Sequence, residues 1–434
     1  MKNKFKDMRK QTFIFILLVG IFTIQVQSAN KLLIEGTHFV TDTMALGKFV
    51  QLTVDKPTDI ILNTEVDVIK TVEIKPAIRN IQYKIEGKNI RLIGVTPCKV
   101  AVTVNEDYAN PVYLFVNPPH PKEWNHLPKN TIRFKKGIHN IGKYTIKEDD
   151  VTLFLEDGAI LKGDIFGEKV KNIRILGYGV IDGRVSKHGI RFNYSGGIEI
   201  NGPIVLSFNG WSTSFFECNY LTIKNTKILS SEVFSDGIDL LATSNVLIDN
   251  IFVRNEDDCI TLKTKKYKFA GNIDNVRIQN SVFWSGKQGN ALETGWELDG
   301  EYVRNIRYEN NDIIRKETSA TKFKRAAISM HHVGNCKISD ILYKDIRIES
   351  VYENLIWMEL LPANKWGSGG GSIENVKFEN IQYLKGNDAP IVIKGGTTGM
   401  IKNIEFNGLI YKGKAINSTS ESVFQIVNAQ VIVK

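Results

Sequence analysis

Three aspartates near the middle of this chain have the type and spacing for acid–base chemistry. The segments Asp236-Gly237-Ile238-Asp239-Leu240 and Asp258-Cys259-Ile260-Thr261-Leu262 align with each other. In each, two apolar residues alternate and an aspartate precedes the first of them by two. The two aspartates are 22 residues apart, and Asp257 adjoins the second. If that interval is one turn of a stacked coil, adjacent strands lie ~4.8 Å apart and Asp236 and Asp258 become neighbours. Strict alternation would send Asp257 and Asp258 to opposite faces, so the pair is expected where the pleat breaks at a turn. Three unpaired carboxylates in that space repel one another, and at least one pKa should rise. A carboxylic acid beside a carboxylate base is what hydrolysis of a glycosidic bond requires. Two other uses of the same residues stay open. One is an acidic surface cluster, since aspartate favours turns in any case. The other is a calcium site, to which Glu256 and Asp239 could add oxygen ligands.

The elements that must position these residues follow from a repeat. An asparagine followed by apolar–polar–apolar recurs at Asn172, Asn245, Asn275, Asn305, Asn335, Asn375 and Asn403. From Asn245 to Asn335 the interval is 30 residues each time. Glycine is abundant, and no amphipathic stretch of useful length suggests helix. Short strands wound into coils and stacked along an axis account for this, because one coil cannot bury its apolar side alone. The recurring asparagine suits a left-handed residue at a turn, stacked on its copies. The fold expected for residues 119–434 is therefore an all-β solenoid, a parallel β-helix, whose right-handed sense is what the resemblance given below implies. A propeller, the competing repeat architecture, would need longer four-stranded blades.

Ahead of the solenoid, residues 29–118 carry period-two strands such as Phe49–Val54, Ile90–Ile93 and Val100–Val104, which predict a small β-sandwich. Asn117-Pro118-Pro119-His120-Pro121 forms a stiff hinge. Residues 1–28 have a basic start, a short apolar run from Phe13 to Ile24, and the small residues Ser28 and Ala29 at its end. This pattern predicts a signal peptide and a secreted or periplasmic protein. The run is too short to span a bilayer comfortably, and no later segment is apolar enough to try.

The aspartate segments carry a specific resemblance. Ser235-Asp236-Gly237-Ile238-Asp239, followed by Asn255-Glu256-Asp257-Asp258-Cys259-Ile260-Thr261-Leu262-Lys263, resembles the polygalacturonases of glycoside hydrolase family 28. Those enzymes are right-handed parallel β-helices that invert configuration, and their clan includes the family 49 dextranases, which add an N-terminal β-sandwich. The resemblance covers most of the chain from about Asn117 onward. It implies Asp257 as general acid, with Asp236 and Asp258 activating the water. There are departures. Phe234 and Ser235 stand where the family has Asn-Thr, and Gln288 stands near the place of the histidine in its Gly-His-Gly. Gly295-Trp296-Glu297 looks more like a dextranase segment, and no Arg-Ile-Lys is present, the nearest bases being Lys324 and Arg325. These differences bear on the sugar rather than the reaction. They keep a dextranase-type α-glucan hydrolase open beside a pectin-like substrate.

The coil register also predicts a groove floor. Inward pairs are expected at Ile238/Leu240, Ile260/Leu262, Ile328/Met330 and Met358/Leu360. Thr261, Lys263, Ser329, His331, Trp357 and Glu359 then face outward, with Glu293 in the same column. Lys263, Gln288, Glu293, Trp296, Arg325, His331 and Trp357 are the expected substrate-binding residues. Trp366, in a Gly/Ser-rich loop, is placed to cap the groove.

The formal charge of +9 falls to about +5 once the leader's five basic residues and its one acid, Asp7, are set aside. That mild excess permits an anionic partner without demanding one, and no basic helix or arm suggests nucleic acid. Cys98, Cys218, Cys259 and Cys336 match no zinc spacing, and buried free thiols are the expectation. The reading is thus a polysaccharide hydrolase, expected to be monomeric, with no cofactor or metal. The alternatives are a non-catalytic carbohydrate-binding solenoid and a polysaccharide lyase on the same scaffold.

Overall fold

The computed structural model describes residues 47–64, 66–186, 188–207, 210–318, 324–397 and 399–434, with the two-residue strands Val26–Gln27 and Phe39–Val40. The segment read as a signal peptide lies outside the described residues, except for Val26–Gln27.

Two sheets form the N-terminal part. One runs in the order Val26–Gln27, Thr58–Asn63, Asn89–Val95, Gln82–Glu86. The other runs Phe39–Val40, Lys48–Thr53, Val112–Asn117, Cys98–Val104, Val72–Lys75. Alternate residues of both, including Val50, Leu52, Ile60, Leu62, Ile90, Leu92, Val100, Val102, Leu114 and Val116, point between the sheets and form one buried cluster. This is the β-sandwich that the period-two pattern predicts.

The rest of the chain is a solenoid of short strands, in which each pairs in parallel with its counterpart one coil further on. One coil is built from Ser244–Asp249, Phe252–Asn255 and Ile260–Lys263, and the next from Ile273–Gln279, Val282–Ser285 and Leu292–Trp296. Their registers align Val246 with Val276, Phe252 with Val282 and Ile260 with Leu292. Inside, like stacks on like. Tyr308, Tyr343, Phe378 and Phe406 form a column with ring centroids 4.6, 4.9 and 4.5 Å apart and planes within 6° of parallel. No helix among the described residues is long and apolar enough to cross a membrane, and the four cysteines are buried free thiols.

The asparagine repeat is a turn ladder with one correction. Asn172, Asn245, Asn275, Asn305, Asn375 and Asn403 all have φ between 53° and 59°, and Asn275 Nδ2 donates to Asn245 Oδ1 at 2.7 Å. Asn335 is not in the ladder. Arg304 pairs with Ser339 and Ile306 with Ile341, so the position beside Asn305 belongs to Asp340, φ 59°. A longer loop before Lys337–Val351 moved the repeat by five residues, and aspartate tolerates the left-handed region as asparagine does. A second ladder runs through Asn250, Asn280, Asn310, Asp345 and Asn380, with Asn310 Nδ2 donating to Asn280 Oδ1 at 2.7 Å.

The solenoid has one wall that faces the sandwich. There Ile204, Leu206, Leu229, Phe252, Val282, Trp284 and Ile314 point outward and pack on Phe49, Ala101, Tyr113 and Phe115. Strands buried on both sides read as continuous apolar runs, as Ile204-Val205-Leu206 and Val282-Phe283-Trp284 do. Two lysines pin the contact. Lys99 Nζ donates to Asn225 and Asn250 Oδ1, both at 2.9 Å. Lys227 Nζ donates to Asn117 Oδ1 at 2.6 Å and to Gly202 O at 3.0 Å.

The aromatic column supplies a test of stacking as the source of stability. Tyr343 is fully buried between two rings. Truncating a large buried ring to alanine costs roughly 3–5 kcal/mol. Tyr343→Ala is expected to lower the unfolding free energy obtained from denaturant titration by that amount, and Tyr343→Phe, which keeps the ring, by far less. Equal losses for both would show that the hydroxyl, not the stack, carries the stability.

Candidate active site

The aspartates meet at a corner of the solenoid. Strand Phe252–Asn255 leaves the sandwich-facing wall, a short turn carries Glu256, Asp257 and Asp258, and strand Ile260–Lys263 begins the next wall. This second wall is the groove floor. It pairs Ile238–Leu241 with Ile260–Lys263, then with Leu292–Trp296, Ala326–His332 and Asn354–Leu360. The predicted columns are there: Asp239, Thr261, Glu293, Ser329 and Trp357 in one, and Lys263, Gly295, His331 and Glu359 beside it. One register expectation is corrected. Ile328 and Met330 stand beside Ile356 and Met358, not beside Met358 and Leu360. The shift is two residues, so the inward and outward faces are unchanged.

Asp236 and Asp258 stack on adjacent coils as the spacing predicts. The Asp258 N–H donates to Asp236 Oδ1 at 3.3 Å, and the Gly237 N–H to Asp258 O at 2.8 Å. One carboxylate oxygen from each of Asp236, Asp257 and Asp258 lies within 4.8 Å of the others. Asp236 and Asp258 are buried, and Asp257 is half-buried and the most accessible. Each carboxylate is held differently. Lys263 Nζ donates to Asp236 Oδ2 at 3.0 Å and to Asp239 Oδ1 at 2.7 Å, and Thr261 Oγ1 also donates to Asp239 Oδ1 at 2.9 Å. Asn290 donates to Asp258 Oδ1 through its backbone N–H at 2.6 Å and through Nδ2 at 2.9 Å. Asn255 Nδ2 donates to Asp258 O at 2.7 Å and Ser235 O at 2.9 Å, tying the two turns together.

Burial dominates the electrostatics. It pushes Asp236 well above the usual carboxylate range, against the pull of Lys263. It raises Asp257 too, opposed by Arg325 and Lys263. Burial, then the charges of Asp257 and Glu293, push Asp258 up to about 8. Burial alone would lower Lys263, but Asp236 and Asp239 outweigh it and hold the ammonium above its ordinary range. The three acids lie close enough to titrate as one unit, and burial favours a proton held within the cluster. The residues that a calcium site would recruit are engaged elsewhere. Asp239 is bound to Lys263, and Glu256 accepts from Arg254 Nη2 at 2.7 Å.

The other sequence-derived candidates separate into near and far. Gln288 lies in the turn over the aspartates, its N–H donating to Glu256 O at 2.8 Å. Gly289 packs so closely on the Asp257–Asp258 peptide that an added Cβ would fall 2.0 Å from Asp257 C. Arg325 precedes the floor strand Ala326–His332, and its charge acts on Asp257 and Asp258. Glu293 is buried one coil beyond, accepting from Ser329 and pairing with His331 Nδ1 at 3.0 Å. Burial pushes Glu293 up, but His331, Ser329 and Arg325 outweigh it and hold it below its ordinary value. Trp296 stacks on His331 at 4.5 Å and 6°, with Trp366 at 5.1 Å on its other flank. His332 turns away and bonds Cys336 O at 2.7 Å through Nε2. Trp357 is three coils from Asp258 and only 7% exposed, its Nε1 donating to Glu359 at 2.8 Å. The fold does not bring it to the aspartates.

Sequence reasoning missed Trp211 and Asn290. Trp211 stands two residues before Thr213, the place that Asp236 holds before Ile238, and its ring lies 4.0 Å from Lys263 Nζ. Asn290 stands two before Leu292, the place of Asp258 before Ile260. Continuing the aspartate column by one coil in each direction finds both.

With this geometry in view, the class is defined. Residues 131–432 match Glycosyl hydrolases family 28, and the chain belongs to that family. Among curated relatives it is 24% identical to Polygalacturonase QRT2 of Arabidopsis thaliana over 286 residues, 59% of this chain and 60% of that one. It is 21% identical to a polygalacturonase of Phaedon cochleariae over 224 residues, 50% and 54% of the two chains. The chain thus spans about 60% or less of the length of these relatives. Among solved structures, Dex49A from Penicillium minioluteum shares the fold over 94% of this chain and 93% of its own, with a TM-score of 0.59 and 13% identity. A hyperthermoactive exopolygalacturonase from Thermotoga maritima shares it over 70% and 84%, with a TM-score of 0.57 and 15% identity.

The raised carboxyls have a consequence for stability. An aspartate whose folded pKa exceeds its unfolded value binds its proton more tightly in the fold, so stability falls as pH rises between the two values. For Asp258 that window runs from about 4, the unfolded value, to about 8. Asp258→Asn keeps the oxygen that accepts from Asn290 and removes the charge. It is expected to melt with the native protein at pH 4 and above it at pH 8, the gap widening in between. Parallel melting curves across that range would contradict a buried, proton-retaining cluster.

Proposed function

We propose that this chain is an exported, inverting glycoside hydrolase that cleaves α-glycosidic bonds in a pectin-like polysaccharide, polygalacturonase-type. The observation that carries the reading is the cluster itself: three carboxylates converging at the groove floor, each with its own partners. Asp257, the most accessible, protonates the glycosidic oxygen. Asp236 and Asp258 share a proton and hold a water between them, and the ionised member of the pair takes the water's proton as it attacks the anomeric carbon. Lys263 and Asn290 fix the two carboxylates for that task. Family membership supports single displacement, since the family resemblance implies inversion. The closeness of the oxygens, within 4.8 Å, is tighter than the roughly 6.5–9.5 Å between the acid and base of an inverting pair. That distance is nearer the about 5–5.5 Å of a retaining pair, so the inverting reading rests on the family resemblance, and it takes the base to be a pair of carboxylates sharing a water rather than a lone distant one. Exposed lysines around the groove, Lys265, Lys268, Lys287 and Lys324, suit an anionic polymer.

A second reading has one observation in its favour. Glu293, ionised and buried in the floor column one coil from Asp258, repels a uronate carboxylate placed over it. A neutral α-glucan of dextran type would feel no such repulsion.

Proton NMR of the first products, read before mutarotation, tests both readings. Incubation with polygalacturonate is expected to release the β-anomer first, with no release from dextran. Release from dextran alone would select the second reading, and an initial α-anomer would make one aspartate a nucleophile. The acid assignment has its own check. Asp257→Asn should lower kcat on the unactivated polymer by about 10²–10⁴-fold while binding persists. A variant retaining more than a tenth of the native rate would remove Asp257 from that role.

A further inference from the structure

Asp257 has no strand to hold it, and its placement depends on what fixes the turn. The residue before it, Glu256, is held from two sides. Its Oε1 accepts from Arg254 Nη2 at 2.7 Å, and its Oε2 accepts from the Lys287 N–H at 3.2 Å. Its carbonyl accepts from the Gln288 N–H at 2.8 Å. One carboxylate thus joins the aspartate turn to the 286–289 turn of the next coil, whose Gly289 packs on the Asp257–Asp258 peptide. Ser285 Oγ adds a bond to Asp257 O at 3.2 Å.

Arg254 is as constrained as its partner. Its side chain is 4% exposed. Nη1 donates to Asn255 O at 2.8 Å, and the guanidinium lies 5.6 Å from the Trp284 ring centre. Beside it is the phenol of Tyr113, which comes from the N-terminal sandwich. Tyr113 is fully buried, edge-on to Phe252 at 5.6 Å and to Trp284 at 6.1 Å. The outward residues Phe252 and Trp284 lie in the strands that run directly into the two turns. The sandwich therefore closes the pocket of the guanidinium that braces the turn.

From this contact we infer that Arg254 and Glu256 are positioning residues for the general acid Asp257, and that the N-terminal sandwich, through Tyr113, is part of the device that places it. A buried guanidinium with two directed bonds fixes orientation as a single ammonium cannot, and small errors in acid placement fall on the proton-transfer step. This inference rests on the hydrolase reading, with Asp257 as acid.

The experiment compares two substrates of the same oligosaccharide, the unactivated polymer and an aryl glycoside whose leaving group departs without protonation. The variants are Glu256→Ala, which leaves the Arg254 guanidinium a second carboxylate, Glu317, at 3.9 Å, and Arg254→Lys, which keeps charge but not the fork. Both are expected to lower kcat on the polymer by about 10–100-fold with KM within about twofold, and to spare the aryl glycoside within about threefold. The alkaline limb of the pH profile, where the general acid loses its proton, should change shape in both. Equal losses on the two substrates, or none on either, would overturn the inference. If Arg254→Lys does not fold, Glu256→Ala decides alone. Asp257→Asn, run alongside, separates the failures. If it does not distinguish the substrates, the acid assignment is wrong. If it does and Glu256→Ala does not, only the positioning role fails.

Discussion

Everything in this molecule depends on in-register stacking of parallel coils. Each coil lies one strand spacing from the next, ~4.8 Å, so whatever a sequence position holds is set against its own counterpart at every turn. For aliphatic and aromatic residues this is favourable, as the column from Tyr308 to Phe406 illustrates. For asparagine it is favourable too, because one amide can donate to the next. For aspartate it is not. Like charges about 4 Å apart repel by roughly 4 kcal/mol at the effective dielectric of a protein surface, and more where water is excluded. Asp236 over Asp258 is tolerated because Lys263, Asn290 and the backbone supply compensating donors, and because the cluster retains protons.

The same stacking explains the two-part architecture. A solenoid has walls, and the wall carrying Phe252, Val282, Trp284 and Ile314 is apolar on its outer side as well as its inner one. Left exposed, that stripe would be a large hydrophobic patch. The sandwich covers it with Phe49, Tyr113 and Phe115; Lys99 of the sandwich reaches across to Asn225 and Asn250 of the solenoid, and Lys227 of the solenoid reaches back to Asn117 of the sandwich. The covered wall leads straight into the aspartate turn, so cohesion between the two parts and geometry at the site draw on the same side chains.

Away from the aspartates the groove floor is less uniform than its repeat. Glu293, Ser329 and His331 form a buried polar set one and two coils on, roofed by Trp296 and flanked by Trp366. The loop bearing Trp366 is tied two coils back by Ser368, whose N–H and Oγ both donate to Asp299 Oδ1, at 3.0 and 2.6 Å. Glu293, Ser329 and His331 occupy the floor columns that the repeat generates, but their side chains bond one another rather than repeating the pattern of the aspartate coils.

Much of this was legible in the chain. Alternation with a period of two marked the sandwich strands, the asparagine repeat marked the coils, and the alignment of Asp236 with Asp258 placed two carboxylates together before any coordinates. These inferences work because they are local. Side-chain direction in a strand is fixed by parity, and a constant repeat fixes the neighbour. Where the interval changed, parity held but register did not, so Asn335 was read in place of Asp340 and Met358 was placed beside Ile328. What only the tertiary structure decided involves partners far apart in sequence or across a turn. No periodicity announces that Lys263 bonds Asp236 and Asp239, that Glu256 is taken by Arg254, or that Tyr113 of the sandwich lies beside that arginine. The turn conformations that bring such groups together are set by packing, and packing is a property of the whole chain.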